Sequence, residues 1–306
     1  MNRHVKSSFV SALAFIFLFS CCPAFLSAAA PQPEDPLRVV FLNVRQGDST
    51  IILTPSGKTV LIDGGQSGTR YSPYDAGQET VVPMLKSLGV KKIDVLISTH
   101  PDYDHVGGLS AVLEELPVEL IFDSGIDHTT ETYQRFLELA REKKIPLRTP
   151  EKGEIIPTGD KTRIQVIAPQ VPVKNRSNLD LNNNSIVVRV DHGDVSFLLA
   201  ADAEHELENT IMNSGARVRA KILKTGHHGS RGATGADFFY LVNPEVAVIS
   251  VGKRNKYDHP HWEVANRIRE ANAWTLRTDY HGNILISSDG KTYQVETYFG
   301  IDSPDE

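Results

Sequence analysis

The sequence predicts an α/β protein of four layers, with two mixed β-sheets face to face and helices on the outside. Two observations carry this. Runs of strand length rich in Val, Ile and Leu recur along the chain. Some follow one another directly and others alternate with helical patterns, so antiparallel and parallel pairing must be mixed. The composition is also that of a globular protein: 306 residues, 40% hydrophobic, 23% charged and 8% aromatic, with a formal net charge of -6. Such a balance excludes a disordered chain, a collagen-like repeat and a polytopic membrane protein. The 2 cysteines, Cys21 and Cys22, exclude a disulfide framework. Mild acidity, taken alone, argues against a general nucleic-acid coat protein.

The first thirty residues are expected to stand apart from the fold. Arg3, His4 and Lys6 form a basic head, Phe9 to Phe19 is an apolar run, and Ser27, Ala28, Ala29 and Ala30 supply a small-residue exit. These are the parts of a secretory signal peptide over residues 1–30, with a run too short to span a bilayer. Lipoprotein processing at Cys21 is the alternative, which the bulky Phe19 disfavours. Both routes imply export, and no later segment is long and apolar enough to span a membrane.

The domain is expected over residues 37–300. Strands are predicted at Leu37 to Leu42, Ser49 to Leu53, Thr59 to Ile62 and Ile93 to Ser98. Further strands are expected at Arg163 to Ile167, Ser185 to Val190, Ser196 to Leu199, Ala220 to Leu223, Val246 to Ser250 and Asn283 to Ile286. Helical periodicity fits Glu79 to Leu88, Leu109 to Leu116, Glu131 to Lys143, Glu204 to Met212 and Trp262 to Ala271. The Asn-rich stretch from Asn175 to Asn184 reads as a loop. Trp262 and Trp274 are expected in the core, and His128, His192, His205 and His281 at surface or packing positions.

Chemistry is expected where strands end. The strand at Ile93 to Ser98 runs into Thr99-His100-Pro101-Asp102-Tyr103-Asp104-His105, so four metal-ligand types fall within six residues. In an extended loop, positions 100, 102 and 104 point one way and His105 the other. Such a loop can serve two cations, one on His100 and Asp102 and the other on Asp104 and His105. The strand from Ser196 ends near Asp202, a carboxylate able to bridge two cations or to cap the following helix. The strand from Ala220 leads into Lys224-Thr225-Gly226-His227-His228-Gly229-Ser230. Glycines supply no core contacts, so histidines between them point to a ligand role, and His227, the first to emerge, is preferred.

These motifs resemble the metallo-β-lactamase fold superfamily and, more narrowly, the metallohydrolase domain of ComEC competence proteins. The supporting stretches are Asn43-Val44-Arg45-Gln46-Gly47-Asp48, Leu61-Ile62-Asp63-Gly64-Gly65, Asn182-Asn183-Asn184-Ser185 and Asn255-Lys256-Tyr257-Asp258-His259-Pro260. The resemblance covers nearly the whole chain from about Val39. It implies a four-layer αββα sandwich of the metallo-β-lactamase type and a site for two divalent cations, zinc or manganese. His100 and Asp102 would hold one, Asp104 and His105 the other, with Asp202 bridging and His227 completing the second. Asp63 would fix the ligand loop, with Asp48, Asn182, Ser230 and Lys224 around the site or along the substrate path. The superfamily usually has histidine in place of Asp102 and a further histidine where this chain offers Asn182 to Asn184. The resulting oxygen-rich site leans toward manganese or loosely held zinc.

Two cations imply hydrolysis by an activated water. Asp104, His228 and His259 are the candidate catalytic residues, His259 as a proton donor to the leaving oxygen or a phosphate contact. Between Arg217 and Lys256 the cations Arg217, Arg219, Lys221, Lys224, Arg231, Lys253, Arg254 and Lys256 face only Asp237 and Glu245. A positive rim beside a metal site suits a phosphodiester, and DNA in particular, better than a neutral lactam or lactone. Stacking aromatics look sparse near the motifs, which argues against sequence-specific readout. The competing expectations are hydrolysis of another exported ester, such as a phosphocholine ester or a lactone, and a non-catalytic DNA-binding module.

Overall fold

The computed structural model describes residues 35–70, 72–169 and 180–298. The expected signal segment, both cysteines, and residues 175–179 of the Asn-rich loop lie outside the described residues.

Among the described residues, fifteen strands form two sheets. They are β1 (Leu37–Phe41), β2 (Thr50–Leu53), β3 (Thr59–Ile62), β4 (Val95–Ser98), β5 (Ile121–Asp123), β6 (Leu147–Arg148), β7 (Ile155–Ile156), β8 (Arg163–Ala168), β9 (Val187–His192), β10 (Val195–Leu199), β11 (Ile222–Lys224), β12 (Val246–Ile249), β13 (Trp274–Arg277), β14 (Asn283–Ser288) and β15 (Tyr293–Tyr298). The first sheet has the order β15-β14-β1-β2-β3-β4-β5-β6 and the second β13-β12-β11-β10-β9-β8-β7. Strands β15 through β3 pair antiparallel, with β14 from the end of the domain laid beside β1, whereas β3 to β6 run parallel. The second sheet repeats the pattern, parallel from β10 to β13 and antiparallel from β7 to β10.

The α-helices among the described residues are α1 (Val82–Ser87), α2 (Tyr103–Val106), α3 (Leu109–Glu115), α4 (Glu131–Glu142), α5 (His205–Asn213), α6 (Ala236–Val242), α7 (Trp262–Glu270) and α8 (Thr278–His281). The helix expected from Glu79 begins instead as a π-helical turn, Gly77–Val81, continued by α1 with Pro83 in its first turn. Proline has no N–H to give, and the first turn of a helix is where none is needed.

Three apolar layers hold the four-layer αββα sandwich together. Val40, Leu61, Leu96, Val112 and Phe136 fill the space between the first sheet and its helices. Val39, Ile52, Phe197 and Val248 fill the seam between the sheets. Leu198, Leu223, Phe238 and Ile268 pack the second sheet against its helices. Val39 and Val40, or Phe197 and Leu198, thus face opposite layers, because successive strand side chains alternate. That explains why these strands are apolar on both faces and were readable as uninterrupted apolar runs. Strands β5, β6, β7, β13 and β15 and helices α2, α6 and α8 escaped the sequence reading. Most are short or lie at sheet edges, where one face meets water and the pattern weakens.

Both tryptophans depart from expectation. Trp262 is 71% exposed and Trp274 is 53% exposed. Trp262 opens α7, whose buried side is Val264 and Ile268, and Trp274 lies on the edge strand β13. The sheets set the site: β3, β4, β10, β11 and β12 all end at one margin of the sandwich, and the loops leaving them carry the polar residues. Ligand sites of α/β sheets form at such carboxyl ends.

Candidate metal centre

Four loops meet at that margin. His100 leaves β4, and the segment after it is not extended: Asp102 stands just before the short helix α2, with no side-chain capping bond, and that helix turns His105 back toward His100. Their ring centroids are 4.1 Å apart. The close turn depends on glycine at 107 and 108, since a Cβ on Gly108 would come within 2.1 Å of the Gly64 carbonyl oxygen. Asp202 follows β10 after Ala201, whose φ of 47° aims the next residue inward.

The pair after β11 divides its roles. His227 and His228 both have left-handed backbone, with φ of 43° and 53°. Such strain persists only where the surrounding structure holds it, commonly at ligand sites. The twist carries His228, not His227, into the buried group. His228 Nε2 lies 3.3 Å from Asp104 Oδ2 and 3.5 Å from Asp202 Oδ2. His227 stays at the mouth, 25% exposed, with Nδ1 2.8 Å from Glu204 Oε1 and Nε2 3.6 Å from Asp202 Oδ2.

The tautomers follow from the hydrogen bonds. Asp63 accepts from the Thr99 amide at 2.8 Å, from the Thr99 hydroxyl at 2.7 Å and from His105 Nδ1 at 2.8 Å. With its hydrogen given to Asp63, the Thr99 hydroxyl accepts from His100 Nδ1 at 3.0 Å. His228 Nδ1 donates to the Ser250 carbonyl at 2.9 Å. All three rings therefore hold a hydrogen on Nδ1 and turn Nε2 into the centre, the nitrogen whose lone pair a neutral imidazole offers to a metal. Those three Nε2 atoms, with Asp202 Oδ1 and Asp48 Oδ1, are buried and have no hydrogen-bond partner. Unpaired polar atoms are costly in a protein interior. Ligand atoms of His100, His105 and Asp202 lie within 4.8 Å of one another, as do those of Asp104, His105 and His228, and of Asp48, Asp202 and His228. Converging lone pairs and carboxylates of this kind fit divalent cations.

Electrostatics agree. Burial pushes Asp48 upward, yet Lys224 and His228 overcome it and bring its pKa to about 2. Burial also opposes ionisation of Asp104 and Asp202, but the neighbouring histidines hold both below the usual carboxylate range. Burial lowers His105 and His228, and the facing acids outweigh it, raising His105 well above normal and His228 to about 10. In the protein without metal, protons hold the place that cations would take. His259 differs: burial and the neighbouring histidines depress it to about 4.

The remaining expected residues fall around this centre. Asp102, more than a third exposed, has Oδ2 3.3 Å from His100 Nε2. Lys224 is buried in an ion pair with Asp48 and donates to the Ala201 carbonyl at 3.2 Å. Asn182 Nδ2 lies 3.3 Å from His227 Nδ1 and 3.4 Å from Glu204 Oε1. The Ser230 hydroxyl accepts from the Gly232 amide at 3.3 Å. The His259 ring is 5.4 Å from that of His227 and 6.3 Å from that of His228. Sequence reasoning passed over Thr99, Glu204 and the Ser250 carbonyl. A hydroxyl next to His100 and an acid two residues after Asp202 were the available signals for the first two; a carbonyl leaves none.

Fold and site together define a metal-centre protein built on an αββα sandwich, and the chain belongs to the metallo-beta-lactamase superfamily, whose family model matches residues 42–253. It is 31% identical over 296 residues to ComE operon protein 3 of Bacillus subtilis (strain 168), covering 93% of this chain and 37% of that protein. It is 30% identical over 251 residues to Competence protein ComA of Neisseria gonorrhoeae, covering 82% of this chain and 32% of the relative. The chain therefore spans about a third of the length of these relatives, which bear out the resemblance to competence proteins. CmlA, a diiron beta-hydroxylase from Streptomyces venezuelae, has a similar fold, with a TM-score of 0.50 at 13% identity over 84% of this chain and 55% of CmlA. Among the described residues, no helix is long and apolar enough to cross a membrane.

Proposed function

We propose that this chain is an exported hydrolase dependent on two divalent cations, zinc or manganese, that cleaves phosphodiester bonds, with DNA as its substrate. The observation that carries the reading is the convergence of three buried imidazole Nε2 atoms, none with a hydrogen-bond partner, on the carboxylates of Asp104 and Asp202. His100 with Asp102 would hold one cation, Asp104, His105 and His228 the other, and Asp202 would stand between them. His228 takes the ligand role first expected of His227. Bound cations supply polarisation of a phosphoryl oxygen and activation of a water for attack.

The protein's own groups do the rest. Asp63, Thr99 and the Ser250 carbonyl fix the ring tautomers, and the buried Lys224 offsets the charge of Asp48. Glu204 orients His227 at the mouth, where its imidazole can hydrogen-bond a phosphoryl oxygen. His259 stands beside it, nearly buried, with Nδ1 free of any partner. The competence-protein relatives and the basic residues after β11 support a DNA substrate. The N-terminal segment supports export.

The test uses purified protein stripped of metal and reloaded with manganese or zinc, assayed on DNA, on bis(p-nitrophenyl) phosphate and on a lactam. Metal-dependent cleavage of the first two, lost in Asp104→Ala, is expected. Cleavage of the lactam alone, or phosphodiester cleavage that survives Asp104→Ala, overturns the reading.

A further inference from the structure

Beside the metal centre, an open cleft of about 350 Å³ lies between the loop after β12 and the turn into α8, lined by Lys253, Arg254, Asn255, His259, Arg277 and Tyr280 among others. His259 belongs to both places, since its ring reaches to 5.4 Å from His227 on the side of the metal centre. Three observations give the cleft a specific character.

The first is a fixed aromatic face. Tyr280 is 62% exposed, and the Arg277 guanidinium covers its back at 4.1 Å. Asp279 grips that guanidinium through two hydrogen bonds, Nε at 2.9 Å and Nη2 at 2.6 Å, so the ring rests on a clamped support. On the loop after β12, Tyr257 stacks at 5.6 Å and 26° on His259, which lines the cleft. Flat rings therefore flank the route to the metal centre, although the sequence showed few aromatics near the motifs.

The second is positive charge without a carboxylate partner, with Lys256 resting over the Tyr257 ring at 4.9 Å. Among the described residues Lys253, Arg254 and Lys256 form no ion pair, and all three are exposed. The acid Asp279 on the far wall is already satisfied by Arg277, leaving Asp258 as the acid on the near side.

The third is rigidity. Asn255 uses both ends of its amide on its own loop. It donates to the carbonyls of Gly252 at 2.9 Å and His259 at 2.7 Å, and it accepts from the amides of Tyr257 at 3.1 Å and His259 at 3.0 Å. Arg254 and Asp258 are held at positive φ, 53° and 58°. A loop paid for in this way is preorganised to meet a ligand.

We infer that this cleft is a binding track for an unpaired nucleic-acid strand, with Tyr280 as a stacking platform and Lys253, Arg254 and Lys256 on the phosphates. The inference rests on the phosphodiesterase reading and names the form of substrate. Bases in a duplex are stacked on one another and offer no face to a side chain, whereas unpaired bases do, and an aromatic ring in a cationic groove is how single strands are held without sequence preference. The track leads past His259 toward His227 and His228.

The test is fluorescence anisotropy with the full chain, metal added, and a labelled phosphorothioate strand of mixed sequence, compared with its duplex. The single strand is expected to bind more tightly than the duplex at equal salt. Tyr280→Ala should weaken single-strand binding by about ten-fold, Tyr280→Phe should restore it, and Tyr240→Ala, an exposed ring on α6, should leave it unchanged. Replacing Lys253 and Lys256 together with Ala should flatten the salt dependence of binding. Equal affinity for duplex and single strand, or indifference to Tyr280→Ala, overturns the track. Hydrolysis of bis(p-nitrophenyl) phosphate by the unmodified protein separates the two claims. Turnover without single-strand preference removes the track and leaves the phosphodiesterase, and a Tyr280-dependent preference without turnover does the reverse.

Discussion

Asp63 accepts the Nδ1 hydrogen of His105 at 2.8 Å while also binding the amide and hydroxyl of Thr99, the residue that precedes His100. One carboxylate thus sets two imidazole rings, directly in one case and through a hydroxyl in the other. Partners of this kind hold metal-binding histidines in the required tautomer. Asp63→Asn puts an N–H where His105 must donate, so it should weaken binding of manganese or zinc by roughly 10- to 100-fold with the fold intact. Competition with a chromophoric chelator measures it, and unchanged affinity would show that the ring orientation is set elsewhere.

The adjacent histidines should separate by experiment. His228→Ala removes a buried nitrogen from the cluster and should lower the metal content of the purified protein. His227→Ala, at the mouth against Glu204, should keep the metal and lose turnover. Metal analysis of both variants decides between them, and retention by His228→Ala with loss by His227→Ala would reverse the assignment.

Stability of the metal-free protein should depend on pH in a direction fixed by His228. Its folded pKa, about 10, lies above the ordinary 6.5, so its contribution is complete below 6.5 and is lost as pH rises through 10. Asp48, lowered from 3.8 to about 2, acts in the other window: its contribution is present above 3.8 and lost as pH falls through 2. Melting temperatures of stripped protein should therefore fall between pH 6.5 and 10. Cations that replace the protons should flatten that decline. Parallel curves with and without metal would contradict it.

Away from the site, Arg189 is buried on β9 and forms a two-point pair with Asp191, with Nη1 donating to the Arg219 carbonyl at 2.6 Å. Arg189→Ala leaves a cavity, takes the donor from the Arg219 carbonyl and leaves Asp191 only the exposed Arg217 at 3.7 Å, and should destabilise the fold by about 3 kcal/mol. Arg189→Met fills the space and should cost less. Chemical denaturation reads both values.

The sequence disclosed the ligands that lie together along the chain and those that follow apolar strands. His100, Asp102, Asp104 and His105 fall within six residues, and Asp202 and the histidine pair each follow a strand. Which member of the pair turns inward depends on the sign of φ at His227 and His228, and composition does not encode that sign. The direction of His105 was hidden for a similar reason, because the loop folds into a helical turn that an alternating pattern does not reveal. Tyr280 and Arg277 lie far along the chain from every ligand, and only the parallel addition of β13 beside β12 brings them to the site. Strand order across a sheet is a long-range property, and local periodicity carries little of it.

The account stands on the buried cluster being a two-cation site, and metal stoichiometry tests that most directly. After dialysis against manganese or zinc, elemental analysis of the unmodified protein should give about two cations per chain. Asp202→Ala, which removes the carboxylate between the two groups, should bind fewer while keeping its circular dichroism. Less than one cation per chain in the unmodified protein, or an undiminished count in folded Asp202→Ala, would contradict the account.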